Sequence, residues 1–245
     1  MNKVKRGLTG VAGVLLICLL AIGTVSAYDV DTACTSLKEV VAGNDDLTAL
    51  ELVAEYLDGS VSAMKLWTES VINPEETLCA RLEYILEEDR ERNDLPRVIL
   101  TLVSGENQIS YELSPKKSVF VELKQPVVFP DISAKNSGGV NDLMNIMNGL
   151  RYDYVLDHEY DCTPSGYSIS FWASSDTDPE TVLPVMTAES WIKKWSGIRW
   201  VDSCYAGDTD WYTDSVNASA GPITLQSGTY KQFANFEGYH TDYTS

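Results

Sequence analysis

An α+β fold is what the sequence predicts: an N-terminal helical unit followed by an antiparallel β-sheet or sandwich with one or two short helices. Three observations carry this. Apolar residues recur at helical spacing from Asp31 to about Asp94, the period changes to alternation after Leu95-Pro96, and an even set of cysteines follows an apparent export signal.

In chain order, residues 1–27 have the layout of a cleavable secretory signal. Lys3, Lys5 and Arg6 precede an apolar run from Val11 to Ile22, and Val25-Ser26-Ala27 supplies small residues before Tyr28. The run is short for a spanning helix, although retention as an N-terminal anchor is the alternative. No second apolar run of spanning length follows, so no membrane span is expected once the signal is removed.

Residues 28–95 form the expected helical unit. Leu47, Leu50, Val53 and Leu57, then Val61, Met64 and Val71, then Leu78, Leu82, Ile85 and Leu86 make apolar stripes that predict three or four packed helices. Asn73-Pro74-Glu75-Glu76 reads as a helix start, because proline tolerates the first turn and the two acids favour the positive end of the dipole.

Residues 96–245 form the expected, mainly antiparallel β domain. Val98–Val103, Gln108–Leu113 and Ser118–Leu123 read as three strands of a meander, separated by Ser-Gly-Glu-Asn and Ser-Pro-Lys-Lys. Lys135–Gly139 breaks the chain before one short helix over Val140–Leu150. Strands are then expected over Tyr152–Glu159, Tyr167–Trp172, Ile198–Cys204, Asp210–Val216 and Gly228–Phe236, with a helix over Thr187–Trp195.

Composition limits the partners. There are 36 Asp and Glu against 18 Lys and Arg, a formal charge of −18, which becomes −21 once the three basic residues of the signal leave. A chain this acidic lacks the basic face that nucleic acid or an anionic lipid surface needs. Residues 28–95 alone carry 17 acids against 5 bases, so the helical unit should dominate any salt dependence.

After the signal, Cys34, Cys79, Cys162 and Cys204 remain. Pairing within each half gives Cys34–Cys79 and Cys162–Cys204, two disulfides that each close a loop of just over 40 residues, worth roughly 4 kcal/mol apiece. Asn217-Ala218-Ser219 is a glycosylation sequon in a polar, turn-like stretch.

The candidate chemistry is sparse. Ile198-Arg-Trp-Val-Asp-Ser-Cys-Tyr-Ala-Gly207 is an apolar strand ending in Asp-Ser-Cys-Tyr-Ala-Gly, and it resembles the nucleophile motif of caspase-like cysteine peptidases. That resemblance implies Cys204 as nucleophile, with His158, 46 residues upstream, as its base. The family's histidine is followed by glycine, whereas His158 precedes Glu159, and an exported chain should oxidise Cys204.

Asp208, Asp210 and Asp214 place oxygen ligands at alternate positions, as Asp176 and Asp178 do, which makes calcium the candidate cofactor. Five of six tryptophans lie between Trp172 and Trp211, and Trp200 and Trp211 are candidates for stacking on glycans or a partner protein. The leading expectation is therefore a secreted, non-enzymatic cell-surface or extracellular structural protein of surface-layer, sheath or matrix type. It would self-associate or bind other envelope proteins. The alternatives are the cysteine peptidase and a carbohydrate-binding module.

Overall fold

The computed structural model describes residues 28–92, 95–124, 155–178, 180 and 182–239. The expected signal over 1–27 and the helix over Val140–Leu150 lie outside them. Within them the chain is dominated by antiparallel strands, with an N-terminal helix and one other.

Helix α1 spans Val30–Ala42. Asp29 caps it, accepting the Thr32 amide at 3.2 Å, which holds the Asp29 carboxyl below its ordinary range; Gly43 ends it. Helix α2, Pro74–Arg92, begins at the expected proline with Glu75 and Glu76 in its first turn.

Between the helices the expected helical stripes are instead a hairpin, β1 (Ala49–Glu55) and β2 (Val61–Trp67). The misleading period has a physical cause. Leu50, Leu52 and Ala54 face one side of β1, yet Ala49 and Val53 on the other side are equally buried, so apolar residues three apart mimic a helix face.

The meander follows as expected: β3 (Arg97–Ser104), β4 (Asn107–Ser114) and β5 (Val119–Glu122). The remaining strands are β6 (Val155–Ser165), β7 (Ser168–Asp178), β8 (Leu183–Trp195), β9 (Trp200–Thr213), β10 (Ser215–Thr224) and β11 (Tyr230–Tyr239). The helix expected over Thr187–Trp195 is thus strand β8, and the two strands expected over 198–216 are mainly one long strand.

An eight-stranded sheet runs β11-β8-β9-β2-β1-β3-β4-β5, and a second sheet runs β10-β7-β6. The boundary expected at 95/96 does not divide the large sheet. β1 pairs with β3, placing Leu52 opposite Leu100, and β2 pairs with β9, placing Met64 opposite Ala206. Helices α1 and α2 pack together, α1 against β5 and α2 against β1 and β10, while β7 and β10 pack on β8 and β9.

A single core joins these layers. Leu37 from α1, Leu78 and Leu82 from α2, Leu52 and Leu100 from the large sheet, and Phe171 and Ile223 from the small one are all essentially inaccessible.

Candidate functional site

The β8–β9 hairpin projects beyond the rest of the sheet. Pairing of β9 with β2 begins only at Cys204, so Trp200 to Ser203 have β8 alone beside them, and β8 is flanked by β11. Ser196 closes the turn, its amide and hydroxyl both donating to the Arg199 carbonyl at 3.0 and 2.8 Å. Gly197 supplies the left-handed residue at φ +93° that the tight turn needs.

This turn gathers an aromatic group. Trp195 and Trp200 sit opposite one another in the register with ring centroids 5.3 Å apart, and Trp200 meets Phe233 of β11 edge-on at 6.4 Å. Trp195 is 42 % and Trp200 36 % exposed, and Ile198 at the tip is 89 % exposed. These residues together place accessible apolar surface at one corner.

Cations surround these rings. Lys193 and Lys231 lie over the Phe233 ring at 5.4 and 5.2 Å, and Lys194 lies over Tyr230 at 6.0 Å. Lys193 is also 2.9 Å from Asp202. With Arg199 in the turn, four of the chain's 18 basic residues meet here, which makes this corner a cationic spot on an acidic protein.

A buried polar set supports the corner from below. The Tyr205 hydroxyl donates to Glu189 Oε1 at 3.0 Å and Asn235 Nδ2 donates to Glu189 Oε2 at 3.0 Å, with Glu189 only 2 % exposed. Burial, followed by the Glu189 charge, raises the Tyr205 phenol above its ordinary range. Gly207 makes the arrangement possible, because a Cβ there would overlap the Tyr205 hydroxyl. Tyr205 then packs on Trp191 at 5.4 Å, fixing the strand that carries Lys193 and Trp195. No signal in the sequence marked Glu189 or Asn235, since each is one polar residue in an alternating strand.

The structure disperses most of the sites expected from sequence. Cys204 is fully buried on β9 facing the core, and burial pushes its thiol far above the ordinary range. His158 is on exposed β6, its Nδ1 3.0 Å from Ser175 Oγ and its ring stacked on Phe236 at 4.4 Å. The structure thus places the two expected peptidase residues in different surroundings, Cys204 buried in the core with its thiol raised and His158 engaged with Ser175 and Phe236. Iodoacetamide is expected to leave Cys204 unmodified in the native protein and to modify it after unfolding, as read by peptide mass spectrometry. Rapid labelling of native Cys204 would contradict its placement.

The disulfides Cys34–Cys79 and Cys162–Cys204 are corrected too, since all four cysteines are free thiols. Cys162 on β6 and Cys204 on β9 belong to different sheets, and no bond joins them. Cys34 and Cys79 are neighbours whose thiols interact with each other and with the other's backbone carbonyl, at 3.6 and 3.5 Å, with no bond between the sulfurs.

Among the described residues no group of three or more His, Cys, Asp or Glu is placed to hold a metal ion. Asp208 and Asp210 lie along extended β9 and Asp214 follows it, so the calcium loop expected from their spacing is not formed. Trp200 and Trp211 are also apart, separated by roughly 35 Å of strand at about 3.3 Å per residue. Trp211 instead donates from Nε1 to the Gly59 carbonyl at 2.9 Å. Asn217 is exposed, but in the middle of β10 opposite Ser174 and not in a turn.

No protein-family model matches the chain, and no curated protein matches its sequence. Among the described residues no helix is long and apolar enough to cross a membrane.

Proposed function

We propose that the chain is an exported, acidic subunit of a cell-surface or extracellular assembly, of surface-layer, sheath or matrix type, and that it works by associating with further copies of itself. The observation that carries this reading is the exposed corner of Trp195, Trp200 and Phe233 ringed by Lys193, Lys231 and Arg199. Large flat side chains interleaved with cations are favourable contact surface for an acidic partner.

The rest of the molecule offers that partner. The helical layer, α1 on β5 and α2 on β1 and β10, exposes Asp31 and Glu39 on α1 and Glu83 and Glu87 on α2, with Glu76 also exposed but paired to Lys38 at 2.9 Å. The two patches differ, so a corner-to-helix contact is heterologous and propagates as a chain or layer instead of closing as a two-fold pair. Strand β11 lies beside the corner and ends the sheet, pairing only with β8 among the described residues. Its free edge can extend the contact by backbone hydrogen bonding.

Light scattering on residues 28–245 tests the reading. Mass is expected to grow with concentration at low ionic strength and to fall towards the monomer in high salt. Trp200→Ala should weaken association by about thirtyfold or more, the scale of a central tryptophan contact. A monomer at every concentration, or assembly indifferent to both salt and Trp200→Ala, would remove the proposal.

A further inference from the structure

A separate cavity of about 280 Å³ lies where α2 meets the small sheet, and none of the hairpin-corner residues lines it. From the helix, Thr77, Arg81 and Tyr84 line it; they are spaced four and three residues apart and so share one face. From the sheet, Ser170, Trp172 and Ser219 line it. Its volume is near the lower edge of small-molecule sites, which run from roughly 300 Å³, and suits a ligand the size of one sugar ring.

Arg81 is the informative residue. Its Nη2 donates to the Ser62 hydroxyl on β2, and its guanidinium stacks on the Tyr84 ring at 5.2 Å. The side chain is thereby held in place while four of its five N–H donors remain uncommitted to Ser62. None of the ion pairs among the described residues engages Arg81. Among the described residues no Asp or Glu lines the cavity either, in a chain with twice as many acids as bases. An oriented arginine in a cavity free of acids, on a protein this negative, provides a local site for an anion.

The other lining groups narrow the class of anion. The hydroxyls of Thr77, Ser170 and Ser219 match a ligand rich in hydroxyls, and the Tyr84 and Trp172 rings offer faces for apolar C–H edges. We propose that this cavity binds a single acidic sugar residue, its carboxylate on Arg81 and its ring against Tyr84 and Trp172. The same chemistry is presented by a free uronate and by the end unit of an acidic polysaccharide. This inference stands apart from the assembly reading, since none of the corner residues takes part.

Isothermal titration of residues 28–245 with D-galacturonate, D-galactose, acetate and tri-galacturonate tests it. Galacturonate is expected to bind at least about tenfold more tightly than either galactose or acetate, because only it satisfies both the arginine and the hydroxyl and ring contacts. Tri-galacturonate binding more tightly than the monomer assigns the polymer end as the ligand, and equal affinity assigns the free sugar. Arg81→Gln should lower galacturonate affinity at least about tenfold. Because that change also removes the Ser62 contact, Ala80→Trp serves as a second variant: Ala80 is exposed on α2, lines the cavity and can block it without touching Arg81's hydrogen bond. Trp200→Ala should bind galacturonate like the parent chain. Failure of galacturonate to bind, equal binding of galactose, or unchanged binding in both cavity variants would overturn the proposal, whatever the outcome of the light-scattering experiment.

Discussion

Phe171→Ala is expected to lower the free energy of unfolding by about 3–5 kcal/mol, the range for removing a buried phenylalanine ring. Phe171 is 1 % exposed on β7 and is among the largest fully buried side chains. It belongs to one core with Leu78 and Leu82 of α2, Leu52 and Leu100 of the large sheet, and Ile223 of β10. Because three layers share that core, no single neighbour can collapse into the space, and the loss includes a cavity contribution as well as lost transfer energy. Urea denaturation would show a lower midpoint with an unchanged slope. A loss below about 1 kcal/mol would mean that the small sheet does not share the helical core.

Gly221→Ala is expected to cost about 3 kcal/mol or more, from backbone strain and overpacking together. Gly221 has φ +126°, a conformation that L side chains rarely adopt, at the irregularity where β10 shifts register against β7 between Ala220 and Ile223. A Cβ there would come within 2.6 Å of Ser170 Cα, and this is backbone that cannot rotate away. Gly105→Ala separates the two causes. Its φ is +61° with nothing within 4 Å of a built Cβ, so that variant should lose only the conformational part, on the order of 1 kcal/mol. Equal losses at the two positions in chemical denaturation would show that the close approach to Ser170 is absent.

Both residues adjoin the cavity lined by Arg81. That cavity has little signature in sequence: Arg81 reads as one basic residue on an acidic helix, while its hydrogen-bond partner Ser62 and the lining residues Trp172 and Ser219 are 19 to 138 positions away. The tryptophan cluster was legible as a cluster in sequence only. A strand of 14 residues carries Trp200 and Trp211 to opposite ends of the sheet, whereas Phe233, distant in the chain, is brought beside Trp200 by pairing through β8. The aspartates behaved likewise, since regular spacing along an extended strand keeps side chains apart instead of converging them on a cation.

The sequence by itself determined what short-range physics controls: the start of α2 at Pro74, the β3–β5 meander with its turns, most of the later strands, and the excess of acid in the first part of the chain after residue 27. Only the tertiary structure decided that Leu50, Val53 and Leu57 belong to a hairpin region, that residues 49–67 join strands from beyond residue 96 in one sheet, and that the cysteines remain free. The reason is the same in each case. Turn chemistry and helix capping act over a few residues, whereas burial on both faces of a strand, and the choice of which strands become neighbours, depend on contacts between segments up to about 150 residues apart, such as β2 with β9.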